Sequence, residues 1–121
     1  AGRGARARAR AAAASPAALQ KVEVGLGERS YPIYIGAEAL GQGALLRRHL
    51  RGQQCLVVTN ETVGPLYLDR VLEALREAGG EALQVESVVL RDGEEHKTMA
   101  ELMKVYDKAL EGRLSRKATF V

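Results

Sequence analysis

The sequence predicts an α/β fold: a parallel sheet with helices on its faces and a hairpin at its N-terminal edge. Two observations favour this fold. Short apolar runs typical of buried strands alternate with longer segments whose apolar residues recur at the spacing of one helix face. Glycines and other turn residues separate the two kinds of segment. Such alternation is typical of parallel sheets covered by helices.

The hairpin comes first in the chain. Residues 21–24 and 31–35 read as two short strands joined by a glycine-containing turn. Pro32 favours an edge position, because proline cannot donate a hydrogen bond to a neighbouring strand. A helical pattern follows from residue 37 to about residue 50, and His49 on it is interpreted as a surface residue.

The predicted sheet begins with the apolar strand 54–59, which is followed by a helix that starts near Pro65 and ends at the glycines 79 and 80. One face of this helix is apolar, at Leu68, Val71, Leu72 and Leu75. Strand 82–90 comes next. A helix from Thr98 is then expected to bury an apolar stripe, formed by Met99, Leu102, Met103, Tyr106 and Leu110.

A last strand is predicted at 117–121, at the end of the sequence. With it, the elements predict a Rossmann-like α/β half-domain, truncated before its parallel sheet is complete. Polar residues 59–62 follow the first strand of this sheet. Open α/β sheets bind ligands just beyond such strand ends, so this edge is the expected location of a site.

Residues 1–20 differ in composition from the rest of the chain. They hold four arginines and no acidic residue, which accounts for the net charge of +3, since residues 21–121 carry −1. This composition indicates a mitochondrial or chloroplast transit peptide, and of the two compartments the chloroplast stroma is the expected one; without a transit peptide, a cytoplasmic location is expected. The alternative is a disordered alanine- and arginine-rich extension. Residues 21–121 are expected to form the folded domain.

Composition also argues against several classes of protein. The basic leader lies outside the fold, and the chain has no tryptophan and one phenylalanine, which argues against a nucleic-acid-binding module. No apolar run approaches the roughly 20 residues that a membrane-spanning helix needs. Cys55 is the single cysteine, and its apolar surroundings favour a core position over a nucleophilic role.

The turn between strand 82–90 and the following helix concentrates ionisable residues. Asp92 and Gly93 form the turn, and Thr98 with Glu101 has the spacing of a capping box, in which each side chain bonds the other's backbone N–H. Lys97 then lies beside the positive end of a helix dipole, where a cation needs an anion nearby. Glu94, Glu95 or a ligand phosphate could supply it. The alternative is a solvated turn with paired surface charges.

Four segments together resemble a known family. Asp92-Gly93-Glu94-x-x-Lys97, placed between a strand and a helix, resembles the dinucleotide-binding loop of 3-dehydroquinate synthases. Segments 27–36, 57–68 and 102–107 are similar to the same family, in the same order and at the same spacing. The resemblance extends from about residue 22 to residue 121.

The resemblance implies that this part of the chain binds NAD. It assigns cofactor contacts to Asn60, Glu94 and Lys97, with Asp92 and Gly93 shaping the turn. The implied cofactor-binding residues are therefore Asn60 and the loop Asp92, Gly93, Glu94, Glu95, His96 and Lys97.

The family converts a sugar-acid phosphate, 3-deoxy-D-arabino-heptulosonate 7-phosphate, into 3-dehydroquinate and phosphate in the shikimate pathway. It uses catalytic NAD and a divalent metal, zinc or cobalt, held by a C-terminal helical domain, and it is usually homodimeric. The family's glycine-rich loop and metal ligands would follow Val121. The resemblance therefore implies an N-terminal fragment that lacks catalytic residues and metal ligands and is inactive by itself.

Two other functions remain open. One is a related sugar-phosphate cyclase or a glycerol-dehydrogenase-like protein, which the residues that contact substrate, beyond Val121, would distinguish. The other is a non-catalytic flavodoxin-like binding module.

Overall fold

A computed structural model of the chain describes residues 19–121. They fall into two compact units, the first extending to Ala39 and the second comprising Leu40–Val121. The predicted leader lies outside the described residues except for its last two, and the first strand already includes Gln20. No helix among the described residues is long and apolar enough to cross a membrane.

The first unit is the predicted hairpin. Strands β1 (Gln20–Val24) and β2 (Tyr31–Ile35) pair antiparallel, with Val22 opposite Ile33. Gly27 adopts a φ of 62° in the connecting turn, a conformation that glycine tolerates without steric cost.

The second unit contains a three-stranded parallel sheet in the order β4-β3-β5, formed by β3 (Gln54–Asn60), β4 (Gln84–Leu90) and β5 (Thr119–Phe120). The helices are α1 (Gly43–His49), α2 (Gly64–Gly79) and α3 (Met99–Glu111). The predicted α/β class, with a parallel sheet and an N-terminal hairpin, is confirmed. Because Asn60 pairs with Leu90, β3 and β4 end side by side.

The core lies between the sheet and α2. Cys55, Leu56 and Leu75 are completely buried. The predicted apolar face of α2 packs against this core: Val71 and Leu72 are buried, and Leu68 is partly buried. Burial raises the pKa of the Cys55 thiol, although the positive charge of Arg47 opposes the shift. Cys55 is thus a core residue, as predicted.

Helix α1 is shorter than predicted. The expected start at residue 37 is wrong, since α1 begins at Gly43. Gly41 and Gly43 weaken helix formation in this segment. A Cβ atom at position 43 would lie only 1.9 Å from the carbonyl oxygen of Ala74 in α2. Glycine at this position therefore lets the two helices approach closely.

Helix α3 turns a different face inward from the one predicted. Its buried residues are Glu101 and Val105. Hydrogen bonds between Glu101 and Arg91, just after β4, hold this face against the sheet. The prediction of a buried stripe is wrong, because all five of its residues are exposed, at fractions from 38% to 75%: Met99, Leu102, Met103, Tyr106 and Leu110.

Candidate functional site

The carboxyl ends of β3 and β4 are joined by side chains. The Asn60 Nδ2 donates to Asp92 Oδ1 at 3.0 Å, and the Thr62 hydroxyl donates to Asp92 Oδ2 at 2.7 Å. The Asn60 Oδ1 accepts hydrogen bonds from the backbone N–H groups of Thr62 at 3.1 Å and Val63 at 2.8 Å. Asn60 thus orients the entry to α2 and links it to the end of β4. We call Asn60, Thr62 and Asp92 the polar corner.

The polar corner keeps some hydrogen-bonding capacity. An asparagine amide has two N–H donors, and only one of those on Asn60 has a partner among the described residues. The Asp92 carboxylate accepts from Asn60, from Thr62 and from the backbone N–H of Gly93, the last at 2.9 Å. A carboxylate has about four acceptor positions, so one remains. The corner can therefore bind a ligand group without losing its internal bonds.

The loop after Asp92 depends on glycine. Gly93 has a φ of 111°, a conformation that other residues rarely adopt. A Cβ atom there would also lie 2.6 Å from the Glu95 carboxylate oxygens. A short 3₁₀ turn (Glu94–His96) follows and delivers the chain to α3. The predicted Asp92-Gly93 turn is confirmed in position.

Lys97 pairs with Glu94 across this turn, with its ammonium nitrogen 2.5 Å from a Glu94 carboxylate oxygen. Both side chains are mostly exposed, at 73% for Lys97 and 84% for Glu94. Exposed ion pairs of this kind contribute at most about 1 kcal/mol, so an anionic ligand could displace Glu94. The pairing itself is compatible with either a surface turn or a ligand-binding loop.

A cleft of about 1010 Å³ opens at this edge of the sheet. Of the seven residues predicted to bind cofactor, only Glu95 is absent from its lining; the six present are Asn60, Asp92, Gly93, Glu94, His96 and Lys97. The His96 ring is 29% exposed and lies 3.9 Å from the Glu95 carboxylate, through its Nε2. The structure thus brings residues that are more than 30 positions apart in the chain to one cleft.

The Glu101 side chain lines the cleft, but it does not play the capping role predicted for it. Thr98 caps α3 as predicted, its hydroxyl accepting from the Glu101 N–H at 3.3 Å. The reciprocal half of the capping box is absent, since the Thr98 N–H donates to the His96 carbonyl. The Glu101 side chain is buried and accepts instead from the Arg91 backbone N–H, the Arg91 Nε and the Lys104 ammonium, at 3.1, 2.7 and 2.6 Å.

These bonds hold Glu101 ionised. Hydrogen bonds from Lys104 and then from Arg91 lower the pKa of the Glu101 carboxyl from 4.5 to about 2. The carboxylate ties the first residue of the loop to the first turn of α3, and so fixes both ends of the segment that carries Lys97. Lys104 makes one of these bonds through its ammonium group, while its side chain is 47% exposed.

The free energy of unfolding should depend on pH through Glu101. Because its pKa is lower in the folded chain than its ordinary 4.5, the stabilisation is complete above about pH 4.5 and declines as the pH falls towards 2. Urea unfolding at about pH 6 and about pH 3 should show a larger loss in the unsubstituted chain than in Glu101→Gln. Glu111→Gln, an exposed glutamate of the same helix, should keep the full loss. Equal losses in the unsubstituted chain and Glu101→Gln would contradict the assignment.

The chemistry of the cleft suits a polar ligand that carries both hydroxyl groups and negative charge. Carboxylates of Asp92 and Glu94 can accept from hydroxyl groups, and Lys97 can bind an anion. Among residues 19–121, no group of three histidine, cysteine, aspartate or glutamate side chains is placed to hold a metal ion.

Known structures share this fold. Crystal structures of 2-deoxy-scyllo-inosose synthase superpose with a TM-score of 0.67 at 15% sequence identity, covering 84% of this chain and 26–28% of theirs. One of them is a complex with carbaglucose-6-phosphate, NAD+ and Co2+. At this identity the similarity establishes the fold alone.

No protein-family model matches the chain. Relatives found by sequence have a much higher sequence identity to this chain than the solved structures have. The chloroplastic 3-dehydroquinate synthase of Solanum lycopersicum is 58% identical over 108 residues, 89% of this chain and 24% of that protein. The chloroplastic 3-dehydroquinate synthase of Arabidopsis thaliana is 58% identical over 83% of this chain and 22% of its own length. The 3-dehydroquinate synthase of Methylococcus capsulatus is 52% identical over 85% of this chain and 27% of its own length. The chain is therefore a homologue of the 3-dehydroquinate synthases, plant chloroplastic forms included, and spans about a quarter of their length.

Proposed function

We propose that this chain forms part of the NAD-binding domain of a 3-dehydroquinate synthase. The observation that carries the proposal is the cleft in which Asn60, Asp92 and Lys97 lie together at the carboxyl edge of a parallel sheet. Ligands of open α/β sheets bind at this edge. The volume of about 1010 Å³ is at the upper end of the range of about 300–1,000 Å³ that is usual for ligand pockets.

The residues present fit a dinucleotide. The second N–H of Asn60 and the remaining acceptor position of Asp92 can bond cofactor hydroxyl or amide groups without disturbing the polar corner. Lys97 can bind the pyrophosphate through a charge-assisted hydrogen bond, because its exposed pairing with Glu94 contributes at most about 1 kcal/mol and can be exchanged for the ligand. Glu94, once released, can accept from ribose hydroxyls. Gly93 allows the turn that presents both side chains.

Glu101 acts on this site by positioning. Its bonds to Arg91 and Lys104 fix the start of the loop relative to α3. Lys97 is thereby held near the amino end of α3, whose dipole also favours an anion there. An anionic cofactor would relieve the unfavourable placement of a cation at a helix amino end.

Bound NAD supplies a reversible oxidation of one substrate hydroxyl, which in the proposed reaction allows 3-deoxy-D-arabino-heptulosonate 7-phosphate to lose phosphate and form 3-dehydroquinate. The divalent metal, zinc or cobalt, would be held outside this chain. The complex of 2-deoxy-scyllo-inosose synthase with NAD+, Co2+ and a sugar-phosphate analogue supports this cofactor set and substrate class. The chloroplastic relatives support a plastid location, and a homodimer is proposed for the complete enzyme.

Sequence identity favours this function over the alternatives. The chain is 43–58% identical to 3-dehydroquinate synthases but 15% identical to the cyclase that shares its fold. A non-catalytic flavodoxin-like module would not be expected to keep such identity to an enzyme family. The chain alone is expected to release no phosphate from the heptulosonate substrate, because its relatives are about four times as long.

A chimeric enzyme tests the proposal. Residues 21–121 replace the matching segment of the Solanum lycopersicum enzyme, and phosphate release is measured with the heptulosonate substrate as NAD is varied. We expect kcat/KM within about tenfold of the parent enzyme and saturation by NAD.

A second chimera provides the control. Its residues 92–97 are replaced by a glycine-serine segment of equal length, which should leave the protein folded but abolish saturation by NAD. A folded first chimera without activity, or a control chimera that retains its NAD affinity, would contradict the proposed function.

A further inference from the structure

A second cavity lies at the opposite, amino edge of the same sheet, and its charged lining residues are all basic. It has a volume of about 630 Å³, and its charged lining residues are Arg47, Arg51 and Lys117. Among residues 19–121, no carboxylate lines it. This contrasts with the cleft at the carboxyl edge, where acidic and basic side chains are mixed.

Two segments of the chain supply this charge. Residues 44–60 contain three arginines and no acidic residue, and residues 112–121 contain three basic residues and no acidic residue. The rest of the folded chain must therefore be acidic, because residues 21–121 together carry −1. The two segments that line this cavity are thus the basic part of a domain that is otherwise negative.

The two basic segments are held together by specific contacts. The Arg51 N–H donates to the Thr119 hydroxyl at 3.3 Å, and the Ser115 N–H donates to Gln54 Oε1 at 2.8 Å. A Cβ atom at Gly52 would lie 2.7 Å from the Lys117 carbonyl oxygen, so glycine permits this close approach. The walls of the cavity are therefore fixed before any ligand arrives, which reduces the entropic cost of binding.

The basic side chains are available to a ligand. The Arg47 guanidinium is oriented by Gln53 Oε1, which accepts from Nη2 at 2.8 Å, and by the Leu50 carbonyl oxygen at 3.5 Å from Nη1. These two bonds leave further N–H donors of the guanidinium. The side chains of Arg51 and Lys117 have no hydrogen-bond or ion-pair partner within residues 19–121.

We propose that this cavity binds a small phosphate-bearing anion. A phosphate dianion takes several charge-assisted hydrogen bonds at once, and arginine matches its geometry. A cleft lined by one sign of charge also raises the local concentration of the opposite ion. The cavity is large enough for a phosphate monoester, and it lies at the sheet edge opposite the proposed cofactor cleft. The site is therefore distinct from the one that would hold NAD.

The test is a titration of the full chain, labelled with nitrogen-15, with inorganic phosphate and with glycerol phosphate at constant ionic strength. Saturable amide shifts are expected at Gly52, Gln53 and Ser115. Tighter binding of glycerol phosphate would identify the ligand as a phosphate ester, and equal binding would identify it as free phosphate; both support the site. Shifts confined to Gly93 and Lys97, or shifts that chloride reproduces, would overturn it.

Charge-matched variants complete the test. Arg51→Gln with Lys117→Gln should raise the phosphate dissociation constant by roughly tenfold or more, since two charge-assisted bonds are lost. Arg48→Gln with Arg116→Gln removes the same charge from exposed neighbours outside the cavity lining and should change the constant by less than about twofold. Equal effects of the two pairs would overturn the site. A single-stranded oligonucleotide that binds far more tightly than either phosphate would also overturn it, in favour of a polyanion surface.

Discussion

Replacing Lys97 by methionine is expected to weaken NAD binding by the active chimera about 10- to 150-fold. The substitution removes one charge-assisted hydrogen bond to the pyrophosphate, which is worth about 1.5–3 kcal/mol. The loss should appear in the dissociation constant of NAD, measured by calorimetry, more than in kcat at saturating NAD. The proposed contact is with the pyrophosphate and not with the reacting carbon.

Lys21→Met is the matched control for Lys97→Met. It removes the same charge from an exposed lysine that also pairs with a glutamate, Glu23, and that lines neither the proposed cofactor cleft nor the second cavity. Lys104→Met is unsuitable, because Lys104 bonds the buried Glu101 carboxylate. If Lys97 only pairs with Glu94, the NAD affinities of the two variants should agree within the effect of a surface charge, under about 1 kcal/mol. That agreement would favour the surface-turn interpretation.

Replacing Gly43 by alanine is expected to destabilise the second unit by about 1–3 kcal/mol or more, since overpacked contacts cost this much. The new Cβ atom would lie 1.9 Å from the Ala74 carbonyl oxygen and 2.6 Å from its carbonyl carbon. Both are backbone atoms, so the clash can be relieved only if α1 and α2 move apart. Urea unfolding followed by circular dichroism measures the loss.

Gly25→Ala is the control for Gly43→Ala. Its backbone φ is not positive, and a Cβ atom there would meet nothing within 4 Å. Alanine should therefore change stability little at this position, or raise it slightly by restricting the unfolded chain. If Gly43→Ala unfolds at the same urea concentration as Gly25→Ala, the close approach of α1 and α2 is contradicted.

Local sequence signals were sufficient to predict most of the helices and strands. The alternation of apolar runs with one-faced helical segments placed β3, α2 and β4 within two residues of their ends. The Thr98 cap and the Asp92-Gly93 turn were also predictable, because each depends on residues within four positions of one another. The start of α1 was not, since it depends on how closely Gly43 approaches a helix that begins 21 residues later.

The residues of the site could be predicted from the sequence, but the hydrogen bonds between them could not. Asn60 and Asp92 each follow a strand, yet their hydrogen bond depends on the register of β3 against β4, which tertiary packing sets. The rotation of α3 was mispredicted for a similar reason. Its apolar stripe is regular, but the bonds from Arg91 and Lys104 to Glu101 turn a charged residue inward. A glutamate one turn into a helix gives no sequence signal that distinguishes a buried anchor from an ordinary capping partner.

The most direct test of the central claim, that NAD lies across the carboxyl edge of this sheet, is a crystal structure of the active chimera with NAD bound. The pyrophosphate is expected within hydrogen-bond distance of the Lys97 ammonium, with the Lys97–Glu94 pair opened. The Asn60–Asp92 bond is expected to be intact beneath the cofactor. NAD bound elsewhere, with Lys97 still paired to Glu94, would show that this edge of the sheet is not the cofactor site.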